Sequence, residues 1–281
     1  MQDGETQREL SKLRQDVMGL ICSGDMSRAM SRVTSHGLGN PEDPAILDQL
    51  RQKFPPRRDN LPESVLKTEP IDSFRDIRHT FLSLLPGVSP GAGGYRNEYL
   101  IALGERMEDR EIRLFEELGL EYLSGSLPSW FYRVWLCIQT VPLFKNAGQK
   151  DVRPLGLRNN LIKSYHKEAI SQSKPEIREY LEPQQLGMSQ AGAAKLVHCV
   201  RGMVNTKREM VCIKIDLANA YNEIGRSAIL DVLSSEASLS HLSGFAGAVL
   251  APDTELESRG KRWGRPGMGG VQGDPASGYF F

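Results

Sequence analysis

The sequence predicts an α+β fold that is mostly helical with a small antiparallel sheet. Apolar residues recur at helical spacing in several segments, most clearly 74–85, 108–123 and 157–170. Apolar, partly β-branched runs at 136–144 and 210–215 predict strands, and 255–264 predicts a hairpin that turns at Gly260. The chain contains no internal repeat, and its 281 residues are enough to bury a sizeable core.

The first sixty residues predict a helical extension. Residues 5–34 form a helical pattern that breaks at Ser23-Gly24, and Pro44 to Lys53 predicts a further short helix. The stretches that flank this short helix are rich in Gly, Pro and Asn and therefore predict loops.

A series of helices is expected over the rest of the chain. Asp72 provides a side chain that can cap a helix running to Leu85. The strand predicted at 136–144 ends near Lys145, and the strand at 210–215 ends at Asp216. The other predicted helices are 96–103, 108–123, 128–135, 157–170, 190–204, 227–235 and 239–250.

Composition excludes several classes of protein. No apolar run is long enough to span a membrane, and the polar N-terminus is not a secretory signal, so we expect an intracellular protein. The four cysteines are widely scattered, which argues against a zinc site and a disulfide scaffold, and we expect them to be small core residues. The five histidines show no ligand spacing and are expected to be structural.

The formal net charge is zero, but basic residues are clustered. Residues 145–174 contain seven basic residues against two acidic ones, and 259–265 contains four basic residues. Each cluster fits either a solvated face or a groove that follows phosphates.

The most informative stretch is 213–224, which reads Ile-Lys-Ile-Asp-Leu-Ala-Asn-Ala-Tyr-Asn-Glu-Ile. A predicted strand ends at Asp216, and Tyr221 follows in a short helical segment. A carboxylate at the tip of a strand can hold a divalent metal against a phosphate. An aromatic ring one turn further can lie beneath the sugar of the same nucleotide. The alternative is a buried strand whose terminal Asp caps the next helix.

Four other motifs accompany this stretch in a fixed order. They are Pro-x-x-Lys at 142–145, Arg-Pro-Leu at 153–155, Pro-x-Gln-x-Gly at 183–187 and Gln-Gly-Asp-Pro-x-Ser at 272–277. Together with the Asp216 stretch they resemble the reverse transcriptase domain of non-LTR retroelements. Residues 89–96 are similar to a Pro-Gly-x-Asp-Gly turn of that family, with Gly93 where Asp is usual.

The resemblance implies a polymerase site. Asp216 would bind both Mg²⁺ ions of a two-metal centre, helped by the backbone carbonyl of Leu217. Tyr221 would act as the steric gate that excludes a 2′-hydroxyl. The alternative for Tyr221 is a core tyrosine.

The resemblance also implies contacts to nucleotide. Lys145 and Arg153 would reach the triphosphate, unless they are ordinary surface charges. Gln272 and Gly273 would pack beside the incoming nucleotide and template base. Asp274 is not a metal ligand in the family, and with Pro275 it is expected to start a helix.

The resemblance implies right-hand polymerase fingers plus a partial palm, with no thumb. The expected segments are an N-terminal extension at 1–60, fingers at 61–205 and a partial palm at 206–281. The sequence has no Asp-Asp pair, so the family's aromatic-x-Asp-Asp motif is missing. We therefore expect a fragment that lacks C-terminal palm and thumb segments and does not polymerise alone.

Three functions follow as hypotheses. The first is RNA-directed DNA polymerisation in the intact protein, with an RNA template, a DNA primer and dNTP as partners. The second is a degenerate nucleic-acid-binding module without catalysis, and the third is a helical scaffold. The first two require Lys145, Arg153, Asp216, Tyr221 and Gln272 to converge on one concave surface.

Overall fold

A computed structural model describes residues 2–61, 71, 74, 76–148, 151–207, 209–252 and 254–280. These residues contain thirteen α-helices and one four-stranded sheet, which confirms an α+β fold. The helices are α1 (Gln2–Cys22), α2 (Met26–Val33), α3 (Pro44–Lys53), α4 (Ile77–Leu82), α5 (Asn97–Arg106), α6 (Asp109–Leu123), α7 (Ser129–Trp135), α8 (Asn160–Leu181), α9 (Gly192–Thr206), α10 (Ala220–Glu223), α11 (Arg226–Ser235), α12 (Ser243–Leu250) and α13 (Ser277–Phe280).

Capping residues explain where two of the helices begin. The predicted break near Ser23-Gly24 is confirmed, and Asp25 caps α2 by accepting the Arg28 N–H at 3.0 Å. Helix α4 begins later than predicted, because Asp76 caps it by accepting the His79 N–H at 2.7 Å. The predicted cap, Asp72, lies outside the described residues.

The sheet is mixed, not purely antiparallel as expected. Its strands are β1 (Ile138–Phe144), β2 (Val152–Leu157), β3 (Leu256–Ser258) and β4 (Lys261–Gly264), in the spatial order β2-β1-β3-β4. Strand β3 runs parallel to β1 and antiparallel to β4. The predicted hairpin is confirmed, with Gly260 at its turn in the left-handed region at φ 75°.

The strand predicted at 210–215 is wrong, and so is its pairing with 255–264. Residues 211–217 carry no regular secondary structure, and the hairpin pairs with β1 instead. Val211, Ile213 and Ile215 are 82%, 77% and 78% exposed. Their alternation gives the stretch strand character, but a strand also needs a neighbour to accept its hydrogen bonds.

Contacts divide the chain into two compact units. The N-terminal unit comprises Met1–Gln49 and Pro142–Arg153, and the main unit comprises Leu50–Val141 and Pro154–Phe281. In the N-terminal unit α1 packs on α2, and the Gly39 N–H donates to the Pro142 carbonyl at 2.9 Å. The segments 1–60, 61–205 and 206–281 expected from the motifs stay a prediction.

The core of the main unit lies among helices α4, α6, α7, α8, α11 and α12. Its largest fully buried side chains include Tyr122, Tyr165, Phe81 and Phe245. A second, smaller apolar cluster lies at the sheet and contains Phe54, Ile138, Leu256 and Val271. Burial of these large side chains is the main force that holds the unit together.

The structure bears on two predictions made from composition, the absence of a membrane span and the burial of the cysteines. In the described part of the chain, no helix is both long enough and apolar enough to cross a membrane. Cys137 is buried, and burial raises the pKa of its thiol to about 12. Cys22, Cys199 and Cys212 are exposed, so the prediction that all four cysteines are core residues is wrong.

Candidate nucleotide-binding site

Tyr221 lies in the short helix α10, which two asparagines anchor to the end of α3. Asn219 enters the helix in the left-handed region at φ 55°. The side-chain amides of Asn219 and Asn222 both donate to the Lys53 carbonyl at 2.8 Å. These bonds fix the backbone at Tyr221, whose side chain is 39% exposed and reachable from solvent.

The loop before the Gln-Gly turn lies directly against Tyr221. The Gly270 N–H donates to the Tyr221 carbonyl, and the Gly269 N–H donates to the Ile224 carbonyl, both at 2.8 Å. A Cβ atom at Gly269 would lie 2.0 Å from the Tyr221 carbonyl oxygen, and its φ is 54°. Glycine is therefore required here for the two segments to meet.

The buried side chain of Arg226 also binds this loop. Arg226 donates to the backbone carbonyls of Gly269 at 3.1 Å, Leu250 at 2.6 Å and Pro266 at 2.9 Å. The residue is 2% exposed, so these charge-assisted bonds act in a medium that screens them weakly. They tie the loop to the start of α11 and the end of α12.

The Gln272-Gly273 turn lies on strand β2. The Gly156 N–H donates to the Gln272 carbonyl at 2.8 Å. Gly273 has φ 110°, and a Cβ atom there would lie 2.5 Å from the Gly156 carbonyl oxygen. The turn therefore approaches β2 more closely than a residue with a side chain allows, while Gly273 itself stays exposed to solvent.

Asp274, the next residue, is a buried anion at the centre of a polar network. Its side chain is 1% exposed and pairs with Arg158, which also donates to the Leu136 carbonyl at 3.0 Å. Its Oδ1 lies 2.8 Å from His166 Nδ1 and accepts the Ala276 N–H at 2.9 Å. The expected cap is confirmed in part: the carboxylate accepts the Ala276 N–H in the turn before α13, but α13 itself begins later than predicted, at Ser277. The same carboxylate also anchors the turn to buried groups.

The network continues through His166 to Tyr122. The Tyr122 hydroxyl lies 2.8 Å from His166 Nε2. If Nδ1–H donates to Asp274, then Nε2 is the acceptor and the tyrosine hydroxyl is the donor. The Tyr122 ring also stacks on the imidazole, and Phe245 meets it edge-on. The structural role predicted for His166 is therefore confirmed.

Burial and neighbouring charges shift the pKa values of Asp274 and Tyr122, which form the two ends of this network. Burial alone would raise the pKa of Asp274. His166 and Arg158 lower this pKa by a larger amount, so the carboxyl group stays ionised. At Tyr122, burial raises the pKa of the hydroxyl well above its usual value. The Asp274 carboxylate is therefore an acceptor, and the Tyr122 hydroxyl stays neutral.

Asp216 does not lie in a metal centre of the described residues. It is exposed in the stretch without regular structure, and Leu217 beside it is 65% exposed. Among the described residues, no three His, Cys, Asp or Glu side chains are grouped to hold an ion. Two Mg²⁺ ions need several carboxylates, and the metal-binding role that the resemblance implies for Asp216 and Leu217 stays a prediction.

Lys145 and Arg153 belong to the N-terminal unit. Lys145 pairs with Asp151 at 2.7 Å, and both side chains are more than 40% exposed. Such a surface pair is weak, so a phosphate can displace the carboxylate. Arg153 is exposed on β2. The predicted convergence of these two residues with Asp216, Tyr221 and Gln272 stays a prediction.

Some residues of the predicted basic clusters are buried or paired with acidic groups. Arg158 is buried in the Asp274 network and so does not line an open groove, while Lys163 is half-buried, and burial lowers its pKa. In the second cluster, Arg262 pairs with Glu255 at 2.7 Å, and Arg265 lies 3.7 Å from the same carboxylate. The cluster is therefore partly neutralised.

The sequence did not predict the role of Arg226 or the pairing of Arg158 and His166 with Asp274, and it indicated a different role for Asp274. No spacing links Arg158, His166 and Asp274, because their meeting depends on tertiary packing. The available signal was an ionisable residue within a Gly-rich or apolar segment, where burial requires a partner.

No protein-family model matches the chain, and no curated protein is detectably similar to it. A cavity of about 500 Å³ in the main unit is lined by none of the predicted site residues. Because neither comparison finds a match, the role of these residues is inferred from their geometry.

Proposed function

We propose that this chain is the fingers and partial palm of a reverse transcriptase of the non-LTR retroelement type. In the intact protein it supports RNA-directed DNA polymerisation, with an RNA template, a DNA primer and dNTP as partners. The observation that carries the proposal is the meeting of motifs in the main unit. The Tyr221 carbonyl binds the loop that leads into Gln272-Gly273, and this turn rests on Gly156, just after the Arg-Pro-Leu motif.

These contacts support a site for a nucleotide. The turn presents exposed backbone at Gly273 and a half-buried Gln272 side chain, which suit close approach of a base. The Tyr221 ring lies on an anchored helix, so it can block a 2′-hydroxyl without first being ordered. Asp274 fixes the turn from inside and takes no part in binding.

A second function, nucleic-acid binding without catalysis, is favoured by one observation. In the sequence, Asp216 stands without a second carboxylate placed by a motif. Phosphate contacts need basic residues and no metal, so binding of duplex is expected under both functions.

Binding of a labelled RNA–DNA duplex, followed by fluorescence anisotropy over a salt series, tests the proposal. We expect binding at low salt that weakens as salt rises, because each phosphate contact releases counterions. Arg153→Ala should reduce the slope of log affinity against log salt by about one. Arg14→Ala, at an exposed arginine of α1 in the same unit, should leave the slope unchanged. Absence of any affinity at low salt would leave the helical scaffold as the remaining hypothesis.

A further inference from the structure

Residues 211–217 of the main unit form an exposed stretch with a two-residue apolar period. Val211, Ile213, Ile215 and Leu217 are 65% to 82% exposed. Between them stand Cys212, Lys214 and Asp216, which are also exposed. Among the described residues, 211–217 make no backbone hydrogen bond to any other segment. The stretch therefore has the side-chain pattern of a strand and unpaired backbone groups.

Like the edge of a sheet, a stretch with this pattern and with unpaired backbone groups can pair with another extended chain. We propose that it pairs with the same stretch of a second copy of this protein, antiparallel and about a two-fold axis at Ile215. The pairing would be isologous, since each copy offers the same residues to the other. The pairing engages Asp216, so it would compete with the metal-binding role that the resemblance implies for this residue.

The charges select both the partner and the register. In antiparallel pairing centred on Ile215, Lys214 lies opposite Asp216 of the second copy, and symmetry repeats this pair. On the other face, Ile213 lies opposite Leu217 of the second copy, and Ile215 lies opposite itself. One segment of seven residues is thus complementary to itself in charge and in hydrophobicity.

Other registers lose this complementarity. Centring the pair on Lys214 places that lysine opposite its own copy, which is repulsive. Centring it on Ile213 places Lys214 opposite Cys212 and Asp216 opposite Met210, so no opposite charges meet. A parallel in-register pair brings each of Lys214 and Asp216 beside its own copy. The Ile215 register is therefore the favoured one.

Sedimentation velocity of the full chain over a wide concentration range tests the proposal, and a dimer is expected. Lys214→Asp should weaken the dimer roughly tenfold, because symmetry creates two like-charge pairs with Asp216. Asp216→Lys should weaken it to a similar extent. The double variant Lys214→Asp/Asp216→Lys exchanges the charges and should restore the dimer.

A hydrophobic variant and a matched control complete the test. Ile215→Lys sets two lysines against each other at the axis and should abolish the dimer. Leu114→Lys, at an apolar residue of α6 that is 61% exposed, should leave it intact. All these positions are exposed, so the variants should fold, and circular dichroism checks this.

Cysteine cross-linking gives a second, independent readout. In a background where the exposed Cys22, Cys199 and Cys212 are serine, Ile215→Cys should form a disulfide-linked dimer under mild oxidation. Lys214→Cys should not, because it faces Asp216 of the second copy. A monomer at all concentrations, open-ended aggregates, or a dimer that ignores Ile215→Lys or is not restored by the charge exchange would overturn the proposal.

Discussion

Replacing Asp274 by Asn removes a buried negative charge that faces two cationic or polar partners. In the native chain the carboxylate accepts hydrogen bonds from Arg158, from His166 and from the Ala276 N–H. Asparagine keeps the volume and one acceptor oxygen, but its NH₂ group cannot accept a hydrogen bond. Arg158 keeps its charge, its burial and its bond to the Leu136 carbonyl.

The expected cost is large because the remaining charge stays buried. Removing one partner of a buried ion pair typically destabilises a protein by about 3–5 kcal/mol. An exposed carboxylate changed in the same way costs about 0.5 kcal/mol or less. Asp231→Asn is therefore the matched control, since Asp231 of α11 is exposed in the same unit and Asp274 is buried.

Urea unfolding followed by tryptophan fluorescence measures this difference. All three tryptophans, Trp130, Trp135 and Trp263, lie in the main unit, so the signal reports on the unit that contains Asp274. We expect Asp274→Asn to lower the midpoint at an unchanged slope, and Asp231→Asn to leave the midpoint near that of the native chain.

The pH dependence provides a second readout of the same ion pair. The folded state holds the pKa of Asp274 below its usual range, so the stabilisation is present above the unfolded value, about 3.9. It is lost as the pH falls below that value, and Asp274→Asn should not show this loss. A variant with the native midpoint, or with the native pH dependence below pH 5, would refute the reasoning.

Three further predictions concern the loop, the turn and catalysis. Gly273→Ala should destabilise the main unit by about 2 kcal/mol or more, since φ is 110° and the Cβ atom would lie 2.5 Å from the Gly156 carbonyl. Gly260→Ala, at φ 75° in open space, should cost about 1 kcal/mol in the same urea assay, and equal costs would contradict the close approach. Arg226→Met should cost about 2–4 kcal/mol, because three carbonyls lose a charged donor, and a loss below 1 kcal/mol would show that water replaces it. In a primer-extension assay with Mg²⁺ and dNTPs, the chain should not extend a primer, because one motif-placed carboxylate cannot hold two ions. Templated extension that disappears in Asp216→Asn would contradict this inference.

The elements that sequence reasoning predicted well carry their own local signal. Strand β1 is a largely apolar run, the hairpin has Gly260 at its turn, and α6 shows helical spacing over fifteen residues. The stretch before Asp216 carries an equally strong pattern but forms no strand in the described chain. A strand depends on a partner elsewhere, and a single sequence does not reveal whether that partner is available.

The residues of the candidate site also fall into two groups, those that the sequence predicted and those that it did not. The motifs at Tyr221 and Gln272 were visible in the sequence because short-range spacing defines them. The side chains that hold these motifs in place could not be predicted from the sequence. Asp274 and His166 are 108 residues apart, and their meeting depends on how α8 packs against the turn. Buried polar pairs of this kind follow from tertiary packing, which residue spacing does not encode.

Cross-linking of a primer terminus tests the proposed function most directly. A duplex of RNA template and DNA primer carrying 5-iododeoxyuridine at the primer 3′ end is bound to the chain and irradiated, and the attached peptide is identified by mass spectrometry. We predict attachment at Tyr221 or within 269–273, where the helix that carries the aromatic ring meets the glycine-rich loop. Attachment confined to other segments, such as the helix α1, would contradict a polymerase-type site at these residues.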